Sequence, residues 1–487
     1  MDPREQCAAL KSSGLRNVIY PGDEVYERRV ASYFSVSAQL RPCCLVQPTT
    51  AEEVALAVTT LVHGTACEFA IRSGGHTVWP GAANTDVGVT IDLGLMNKTT
   101  YIPETQVAQI QAGSRWRDVY EELTPYGVTV PGSRTSTVGV AGFVTGGGNT
   151  FYTGRRGFAC DNVVNFEVVL ASGEIVNANA EHYSDLFKAL KGGSANFGIV
   201  TRFDMQAFGA PDLWGNQHIA AYVDWTDSIE KYPDGSAILF FSYLPTVKDI
   251  IINAAYHDTT GAVALPAYDK FMAIPDQMTS SLRKDSHLNM TIELELVSGY
   301  RNVWFAIAFR NDARMYQKAV EMHRRFVDDW RAQQQSRDGD FICHAIFQAL
   351  PAVFSRRSVE RGGNVLGLDR EIEKEKGNAV MFQLQLAFRG GRAEERAARA
   401  RVAGFRAALK DCSVELGAAV GWEYLNYADC TQDPLATYGE ANVAFLRRVA
   451  AEYDPAGVFQ TRMPGGFKIS RVVTNGINKL LDVRHCV

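Results

Sequence analysis

The chain has 487 residues, of which 46% are hydrophobic and 21% are charged, and its formal net charge at pH 7 is −5. This length and composition are typical of a globular protein with two or more domains. The slight acidic excess and the absence of a long basic run argue against nucleic acid as a partner. No apolar run approaches the roughly 18 residues of a membrane-spanning helix, so no membrane partner is expected either.

The cysteine and histidine spacings predict no metal site. Nine cysteines and nine histidines are present, but none forms a CxxC, HxxxH or HExxH pattern. The N-terminal residues 1–5 contain no apolar segment of the kind found in signal peptides. The chain is therefore expected to be either cytoplasmic or a mature secreted form that has lost its leader.

The first half of the chain alternates short predicted strands with helices. Residues 25–37 have the pattern of an extended arm, and Thr50 with two following glutamates predicts the start of a helix over 52–63. Alternating apolar residues over 88–93 predict a short strand. Further strands are predicted at 68–71, 107–113, 163–170 and 196–203, with helices at 115–123 and 186–190 and a hairpin turn at 171–174.

A glycine pair follows the strand at 68–71 directly. Gly74 and Gly75 can adopt positive φ and have no Cβ, so consecutive backbone N–H groups can point into one concavity. Such a nest suits a diphosphate, and His76 would face whatever the diphosphate carries. The alternative is an ordinary turn beside a surface histidine.

Glycines cluster again at 130–132, 138–142 and 145–149. Neither the GxGxxG fingerprint opening a helix nor a P-loop is present. Interleaved valine and phenylalanine argue against a flexible linker. Glycine at this density in a folded segment indicates that the backbone approaches a ligand, or another part of the backbone, closely.

The pattern changes after about residue 206, where long amphipathic strands are predicted at 237–243, 303–309 and 378–388. Helices are predicted after the second and the third of these strands, at 315–335 and 392–409. In the third strand, Gln383 and Gln385 share one face. That face is either the roof of a cavity or a solvated surface. Glycine- and tyrosine-rich segments return from Tyr424 onward.

The order of these motifs resembles the FAD-linked oxidases of the vanillyl-alcohol oxidase and p-cresol methylhydroxylase superfamily, specifically fungal members of the berberine-bridge-enzyme-like branch. The resemblance covers roughly residues 48–468 and includes RSGGH at 72–76, the glycine clusters, GGSANFGIVT at 192–201 and YLNY at 424–427. It implies an α+β fold in which a PCMH-type FAD-binding domain is joined to a separate substrate domain with an antiparallel sheet. The expected boundaries are 1–205 for the N-terminal part of the FAD domain, 206–415 for the substrate domain and 416–487 for a C-terminal segment that returns to the FAD domain.

The resemblance also implies the residues that contact FAD, and it matches His76 to the histidine that is joined to the flavin in this family. A cysteine bonded to the flavin in bicovalent members is replaced here by Thr135, and Cys160 lies too far along to substitute. A single covalent link, or none, is therefore expected, and no cysteinyl link. The FAD-contacting set is Arg72, Ser73, Gly74, Gly75, His76, Thr77, Pro131, Val138, Gly139, Gly142, Gly146, Gly147, Asn149, Ile199, Val200 and Asn426.

By the same resemblance, Tyr427 is the first candidate and Tyr424 the second for handling the substrate proton during hydride removal. The alternative is that both are buried tyrosines with structural hydrogen bonds. The resemblance further suggests a disulfide between Cys7 and Cys67. The sequence does not indicate the oligomeric state.

The expected activity is oxidation of an alcohol or phenolic C–H centre in a small secondary metabolite, with O2 as acceptor. A carbohydrate oxidase would need an open aromatic groove, for which Trp214, Trp225, Phe240, Phe241, Tyr243 and Tyr256 are candidates, although such residues are more often core. A third possibility is a cyclase that holds flavin without net redox chemistry and shapes a polyketide-like substrate.

Overall fold

The computed structural model describes residues 3–64, 68–209, 219–263, 266–272, 281–333, 340–374 and 377–472. Within these ranges the strands are β1 (Val18–Ile19), β2 (Cys44–Val46), β3 (Phe69–Arg72), β4 (Val89–Asp92), β5 (Thr99–Ile102), β6 (Val107–Gln111), β7 (Val128–Thr129), β8 (Val163–Val169), β9 (Ile175–Asn179), β10 (Ile199–Gln206), β11 (Phe208–Gly209), β12 (Gly235–Leu244), β13 (Asp249–Asp258), β14 (Arg301–Arg310), β15 (Phe341–Leu350), β16 (Ala379–Phe388) and β17 (Ala419–Val420). The α-helices are α1 (Pro3–Ser12), α2 (Glu24–Ala31), α3 (Ala51–Gly64), α4 (Trp116–Leu123), α5 (Val140–Thr145), α6 (Thr153–Arg156), α7 (Ser184–Leu190), α8 (Ile219–Ser228), α9 (Asp269–Met272), α10 (His287–Glu293), α11 (Ala313–Gln333), α12 (Ala352–Glu360), α13 (Leu368–Lys374), α14 (Arg392–Glu415), α15 (Glu440–Tyr453) and α16 (Val458–Thr461).

The first half of the chain forms two main sheets. One has the order β1-β2-β4-β3, in which β4 lies parallel to both β2 and β3. The other is antiparallel with the order β5-β6-β10-β8-β9. All four residues of β4 are buried because it lies inside its sheet with both faces covered. The strand predicted over 88–93 is confirmed as β4.

The second half of the chain forms a six-stranded antiparallel sheet with the order β13-β12-β15-β16-β14-β17. One face packs on α11 and α14: the ring of Phe382 on β16 stacks on Phe405 of α14, with centroids 6.0 Å apart. The other face carries Gln383 and Gln385, because side chains alternate along a strand. The mixed α+β class with an antiparallel second sheet confirms the fold predicted from the sequence; the domain boundaries stay a prediction.

The N-terminal region departs from the sequence prediction in its second helix, α2. Residues expected as an extended arm form α2, which begins after Asp23 and has Glu24 and Glu27 in its first turn. Acidic residues at the start of a helix interact favourably with its dipole, and Tyr26 and Val30, four residues apart, bury one face. The predicted helix over 52–63 is confirmed as α3, and Thr50 Oγ1 accepts the backbone N–H of Glu53 as its cap.

Cys7 forms its disulfide with Cys44 rather than with Cys67, which lies outside the described residues. The suggested pairing was wrong for Cys7 because α1 packs against β2, which brings Cys44 beside it. The loop so closed spans 37 residues and ties the N-terminal helix to the first sheet. None of the described helices is long and apolar enough to cross a membrane.

Candidate active site

A cavity of about 300 Å³ lies between the glycine-rich loops of the first half of the chain and the six-stranded sheet. Its walls come from the segment after β3, the loop before α5, the start of β10, the cavity-facing side of the six-stranded sheet, and the chain after Tyr424. Among the predicted site residues, it is lined by Ser73, Gly74, Gly75, His76, Thr77, Val138, Gly139, Gly142, Asn149, Ile199, Val200, Asn426 and Tyr427.

The two glycine loops meet backbone to backbone at Gly74 and Gly139. A Cβ added to Gly139 would lie 2.4 Å from the nitrogen of Gly74, and one added to Gly74 would lie 2.5 Å from Cα of Gly139. Arg115 fastens the contact, since its guanidinium donates to the carbonyls of Gly74, at 2.7 Å, and Thr137. The glycine density at this point therefore permits one loop to approach the other.

Other glycines leave room on the cavity side. A Cβ at Gly142, in the first turns of α5, would meet no atom within 4 Å. Ser73 Oγ donates to the carbonyl of Ala112 at 2.6 Å and accepts the N–H of Ala141 at 3.4 Å, which holds the start of α5 against the first loop. Gly142 thus leaves open space beside the first loop.

His76 lines the cavity with its ring stacked on Phe34, the centroids being 4.1 Å apart and the planes 10° from parallel. Its Nε2 is buried and has no hydrogen-bond partner. Burial, with a smaller contribution from the positive charge of Arg115, lowers the pKa of His76 to about 3. The imidazole is therefore neutral at physiological pH.

Arg72 does not line the cavity with its side chain. The guanidinium is buried over the ring of Tyr33, 3.8 Å from the centroid, and donates to Ser32 Oγ at 2.8 Å. A Cβ on Gly75, whose φ is +69°, would lie 2.9 Å from Tyr33 and 3.0 Å from Arg72 Nε. Arg72 and Tyr33 thus support the turn from behind.

The second glycine loop is tied to the C-terminal segment by Tyr424. Its hydroxyl oxygen accepts the backbone N–H of Asn149 at 2.8 Å and the amide of Asn426 at 3.1 Å. Asn426 also donates to the carbonyl of Phe143 at 3.1 Å. A Cβ on Gly146 would lie 2.0 Å from Asn426 Oδ1, so this glycine permits the contact. Tyr424 is buried, does not line the cavity, and has a pKa raised above the ordinary tyrosine value by desolvation.

Tyr427 is the tyrosine that faces the cavity. It lies in a 3₁₀ turn (Leu425–Tyr427), is half-buried, and contacts the ring of Tyr424 edge-on with centroids 4.9 Å apart. The ring of Trp304, from β14, also lines the cavity, with its centroid 6.4 Å from that of Tyr427. Of the predicted residues, Pro131 and Gly147 also lie outside the lining, together with Arg72, Gly146 and Tyr424.

The cavity-facing side of the six-stranded sheet forms the roof. Gln383 on β16 lines the cavity and is 3% exposed, and Gln385 beside it is also buried. The solvated-face interpretation was wrong for both residues, and the roof interpretation is confirmed for Gln383, whereas Gln385 does not line the cavity. Around Gln383 the roof is mostly apolar, with Ile238, Phe240 and Ile346 from β12 and β15.

Two cationic residues in the lining were not identified from the sequence. Arg134 is 6% exposed and its guanidinium contacts Gln348 Oε1 on β15; Lys468 is 3% exposed and donates to the carbonyl of Ala195 at 3.3 Å. Burial lowers the pKa of Lys468 to about 7. Among the residues described, no aspartate or glutamate lines the cavity. In the sequence, Arg134 and Lys468 are each a single basic residue near a glycine-rich segment, and that pattern did not mark them as site residues.

Most of the aromatic residues considered for a carbohydrate groove are core residues. Trp225, Phe241, Tyr243 and Tyr256 are each less than 5% exposed, whereas Phe240 lines the cavity. Trp214 lies outside the described residues. Cys160 is buried and does not line the cavity, whereas Thr135 does.

Comparisons with known proteins agree with this architecture. A family model described as "FAD binding domain" matches residues 42–179. The chain is 40% identical over 478 residues to the FAD-dependent monooxygenase sdcF of Emericella nidulans, covering 96% of this chain and 98% of that protein. It is 37% identical over 484 residues to the FAD-dependent monooxygenase drtC of Aspergillus calidoustus, covering 96% and 90%.

Solved structures with the same fold include 6-hydroxy-D-nicotine oxidase from Arthrobacter nicotinovorans, with a TM-score of 0.72, 19% identity and coverage of 92% of this chain and 97% of that chain. A xylooligosaccharide oxidase from Myceliophthora thermophila superposes with a TM-score of 0.71 at 18% identity, covering 98% and 100%. Berberine bridge enzyme superposes with a TM-score of 0.71 at 16% identity, covering 94% and 98%. The chain therefore belongs to the family of FAD-dependent oxidoreductases that includes these two fungal proteins, and it shares its fold with berberine bridge enzyme and the two oxidases.

Proposed function

We propose that this FAD-dependent oxidoreductase is an oxidase that dehydrogenates an alcohol or phenolic C–H centre of a secondary-metabolite intermediate, with O2 as the final acceptor. One observation carries the proposal: the two glycine loops, the neutral His76 and Tyr427 line one cavity, and the apolar roof covers it. The proposal assigns residues 1–205 and 416–487 to FAD and residues 206–415 to the substrate.

The residues present fit FAD. Gly74, Gly75, Gly139 and Gly142 line the cavity without a Cβ, and the space beside Gly142 is open. Adjacent backbone N–H groups in such a turn bind a diphosphate. Residues Ser73 to Thr77 and Val138 to Gly142 would hold the diphosphate, Ile199 and Val200 the adenosine end, and Asn149 and Asn426 the region of the flavin ring. Arg72, Pro131, Gly146 and Gly147 would support these contacts from outside the lining.

His76 would carry the single covalent link. Its imidazole is neutral, is held flat against Phe34, and has a buried nitrogen without a protein partner. A neutral ring nitrogen retains the lone pair that a covalent bond requires. Thr135 in place of a cysteine supports one link rather than two.

FAD, when bound, supplies a two-electron acceptor, and the protein supplies position and proton handling. Tyr427 would accept or relay the proton of the substrate hydroxyl, because its phenol faces the cavity and no carboxylate in the described lining competes for that role. Tyr424 would position Tyr427 and Asn426 instead, since its oxygen already accepts two hydrogen bonds.

Three other activities are alternatives to the oxidase, and the measurements described below distinguish them. The similar proteins are named monooxygenases, which favours incorporation of oxygen as the second candidate. An oligosaccharide oxidase is less supported, because four of the six aromatic residues considered for its groove lie in the core. A cyclase without net redox chemistry would use the same cavity and consume no O2.

The first measurement is the visible spectrum of the purified protein before and after acid precipitation. A yellow pellet from wild-type protein and a colourless pellet from His76→Ala would support a covalent link at His76. Colour released to the supernatant would keep FAD but contradict the link. A colourless preparation that cannot be reconstituted with FAD would contradict FAD binding by this cavity.

The second measurement separates the reactions. The oxidase proposal predicts consumption of one O2 and release of one H2O2 per product, with no label in the product when the gas is ¹⁸O2. Label in the product would instead indicate a monooxygenase. Product formed under strictly anaerobic conditions at an unchanged rate over many turnovers would indicate the cyclase.

A further inference from the structure

Arg134 is a buried cation that the proposed reaction does not use. Its side chain lines the cavity, yet only 6% of the residue is exposed. Gln348 Oε1, on roof strand β15, is the acceptor for one of its amino groups. A guanidinium has five N–H donors in a planar fork, so a single amide oxygen leaves most of them for another acceptor.

No protein anion balances this charge within the part of the chain that the structure describes. Among the described residues, the side-chain partner of Arg134 is the amide of Gln348, and no carboxylate lines the cavity. Its charge acts on His257, Tyr222 and Tyr424. Burial lowers the pKa of His257 to about 3 and raises the pKa of both tyrosines, so all three are neutral near pH 7. Burying an unpaired charge is unfavourable, which indicates that a ligand supplies the counter-ion.

The surroundings of Arg134 indicate what the rest of that ligand resembles. Ile238 and Ile346 flank Gln348 and Gln383 on the roof, and Phe240 and Trp304 complete the apolar surface. The apolar roof suits a flat aromatic ring. The guanidinium of Arg134 suits one acidic group on that ring, because arginine pairs bidentately with a carboxylate.

We infer that the substrate is an aromatic carboxylate whose anionic group pairs with Arg134 beneath the roof of the cavity. The inference rests on the proposed function, since it names the substrate class of that same site. Arg134 is assigned to the substrate rather than to the FAD diphosphate because its amino group is held by Gln348 of the six-stranded sheet. Arg134 itself lies in the loop before α5, whereas the closest contact between the glycine loops is made further along, where Gly139 meets Gly74.

The experiment titrates the FAD-loaded enzyme with benzoate and with benzamide, a neutral probe of nearly the same shape, while the visible flavin spectrum is followed. Benzoate is expected to bind roughly tenfold more tightly or better, the factor expected for a hydrogen-bonded charge pair. Flavin content, measured in the same sample, reports separately on the proposed function.

Three variants complete the test. Arg134→Gln removes the charge and is expected to bring benzoate down to the affinity of benzamide with flavin content unchanged. Gln348→Glu keeps Arg134 but places a carboxylate of the same shape beside it, and is expected to abolish the preference in the same way. Arg325→Gln, on the exposed side of α11 behind the sheet, is the matched control and should keep the preference.

Equal affinities of the wild-type enzyme for the two probes, or no spectral response to benzoate, would overturn the inference while leaving a yellow oxidase intact. Loss of flavin from both Arg134→Gln and Gln348→Glu, with Arg325→Gln still yellow, would also overturn it, because Arg134 would then serve FAD. A wild-type protein without flavin would contradict the proposed function itself.

Discussion

The hydroxyl oxygen of Tyr424 lies 2.8 Å from the backbone nitrogen of Asn149 and accepts its hydrogen bond, although 275 residues separate the two in sequence. The same oxygen accepts the side-chain amide of Asn426 at 3.1 Å. One buried hydroxyl therefore joins the second glycine loop to the C-terminal segment that carries Tyr427.

Tyr424→Phe is expected to destabilise the protein by about 1–3 kcal/mol, because the buried N–H of Asn149 loses its acceptor. Tyr427→Phe should leave the midpoint of thermal unfolding nearly unchanged, since its ring faces the cavity. It should instead slow anaerobic reduction of FAD by substrate by roughly 10²–10⁴-fold, the range for a lost proton acceptor. The reverse pattern, with the rate lost in Tyr424→Phe and the stability lost in Tyr427→Phe, would exchange the two roles.

Gly139→Ala is expected to prevent FAD binding. Its Cβ would lie 2.4 Å from the nitrogen of Gly74, and backbone on both sides leaves no flexible side chain to move away. Overpacking of this kind costs typically about 1–3 kcal/mol and would separate the two loops of the cavity wall. Flavin absorbance per protein and the thermal midpoint measure the effect.

Gly404→Ala is the matched control for that substitution. Gly404 lies in α14, and a Cβ there meets nothing within 4 Å. Alanine in a helix interior is favoured over glycine by roughly 0.5–1 kcal/mol, so Gly404→Ala should keep its flavin and lose no stability. Full flavin content in Gly139→Ala would show that the loops do not need this close contact.

The sequence predicted the parts of the site that depend on local geometry. Adjacent glycines at Gly74 and Gly75 and the cluster around Gly139 indicate turns or close approaches, because glycine permits backbone conformations and contacts that other residues do not; Gly75 takes a positive φ, and Gly139 meets Gly74 closely. The pairing of Arg134 with Gln348 could not be predicted, since 214 residues separate them and the contact depends on how the six-stranded sheet covers the loops. For the same reason, the sequence did not predict strand β15 or the apolar surroundings of Gln383 on the roof.

Acid sensitivity is expected from the buried histidines. Burial lowers the pKa of His257 to about 3 in the folded protein, whereas an unfolded histidine has a pKa of about 6.5. Below pH 6.5 the unfolded state therefore binds a proton that the folded state does not, and stability falls as the pH falls towards 3. Between pH 6.5 and 5 one such histidine accounts for up to about 2 kcal/mol.

His257→Gln should remove this share, so that its thermal midpoint falls less between pH 7 and pH 5 than that of the wild type. His287, whose pKa is also lowered to about 3, keeps part of the sensitivity in the variant. His182→Gln alters an exposed residue and should follow the wild type. An acid response of His257→Gln as large as that of the wild type would contradict the assignment.

The disulfide between Cys7 and Cys44 is expected to stabilise the fold by closing a loop of 37 residues. In the chain-entropy model a loop of this length contributes about 4 kcal/mol. The double variant Cys7→Ser with Cys44→Ser should therefore unfold at a clearly lower temperature than the wild type without reductant. Cys412→Ser, which changes a free half-buried cysteine, should change the midpoint little. The pairing is checked by mass spectrometry of an unreduced digest, with fragmentation that distinguishes Cys44 from the adjacent Cys43. A linked peptide pair that joins Cys7 to Cys67 would contradict the observed pairing.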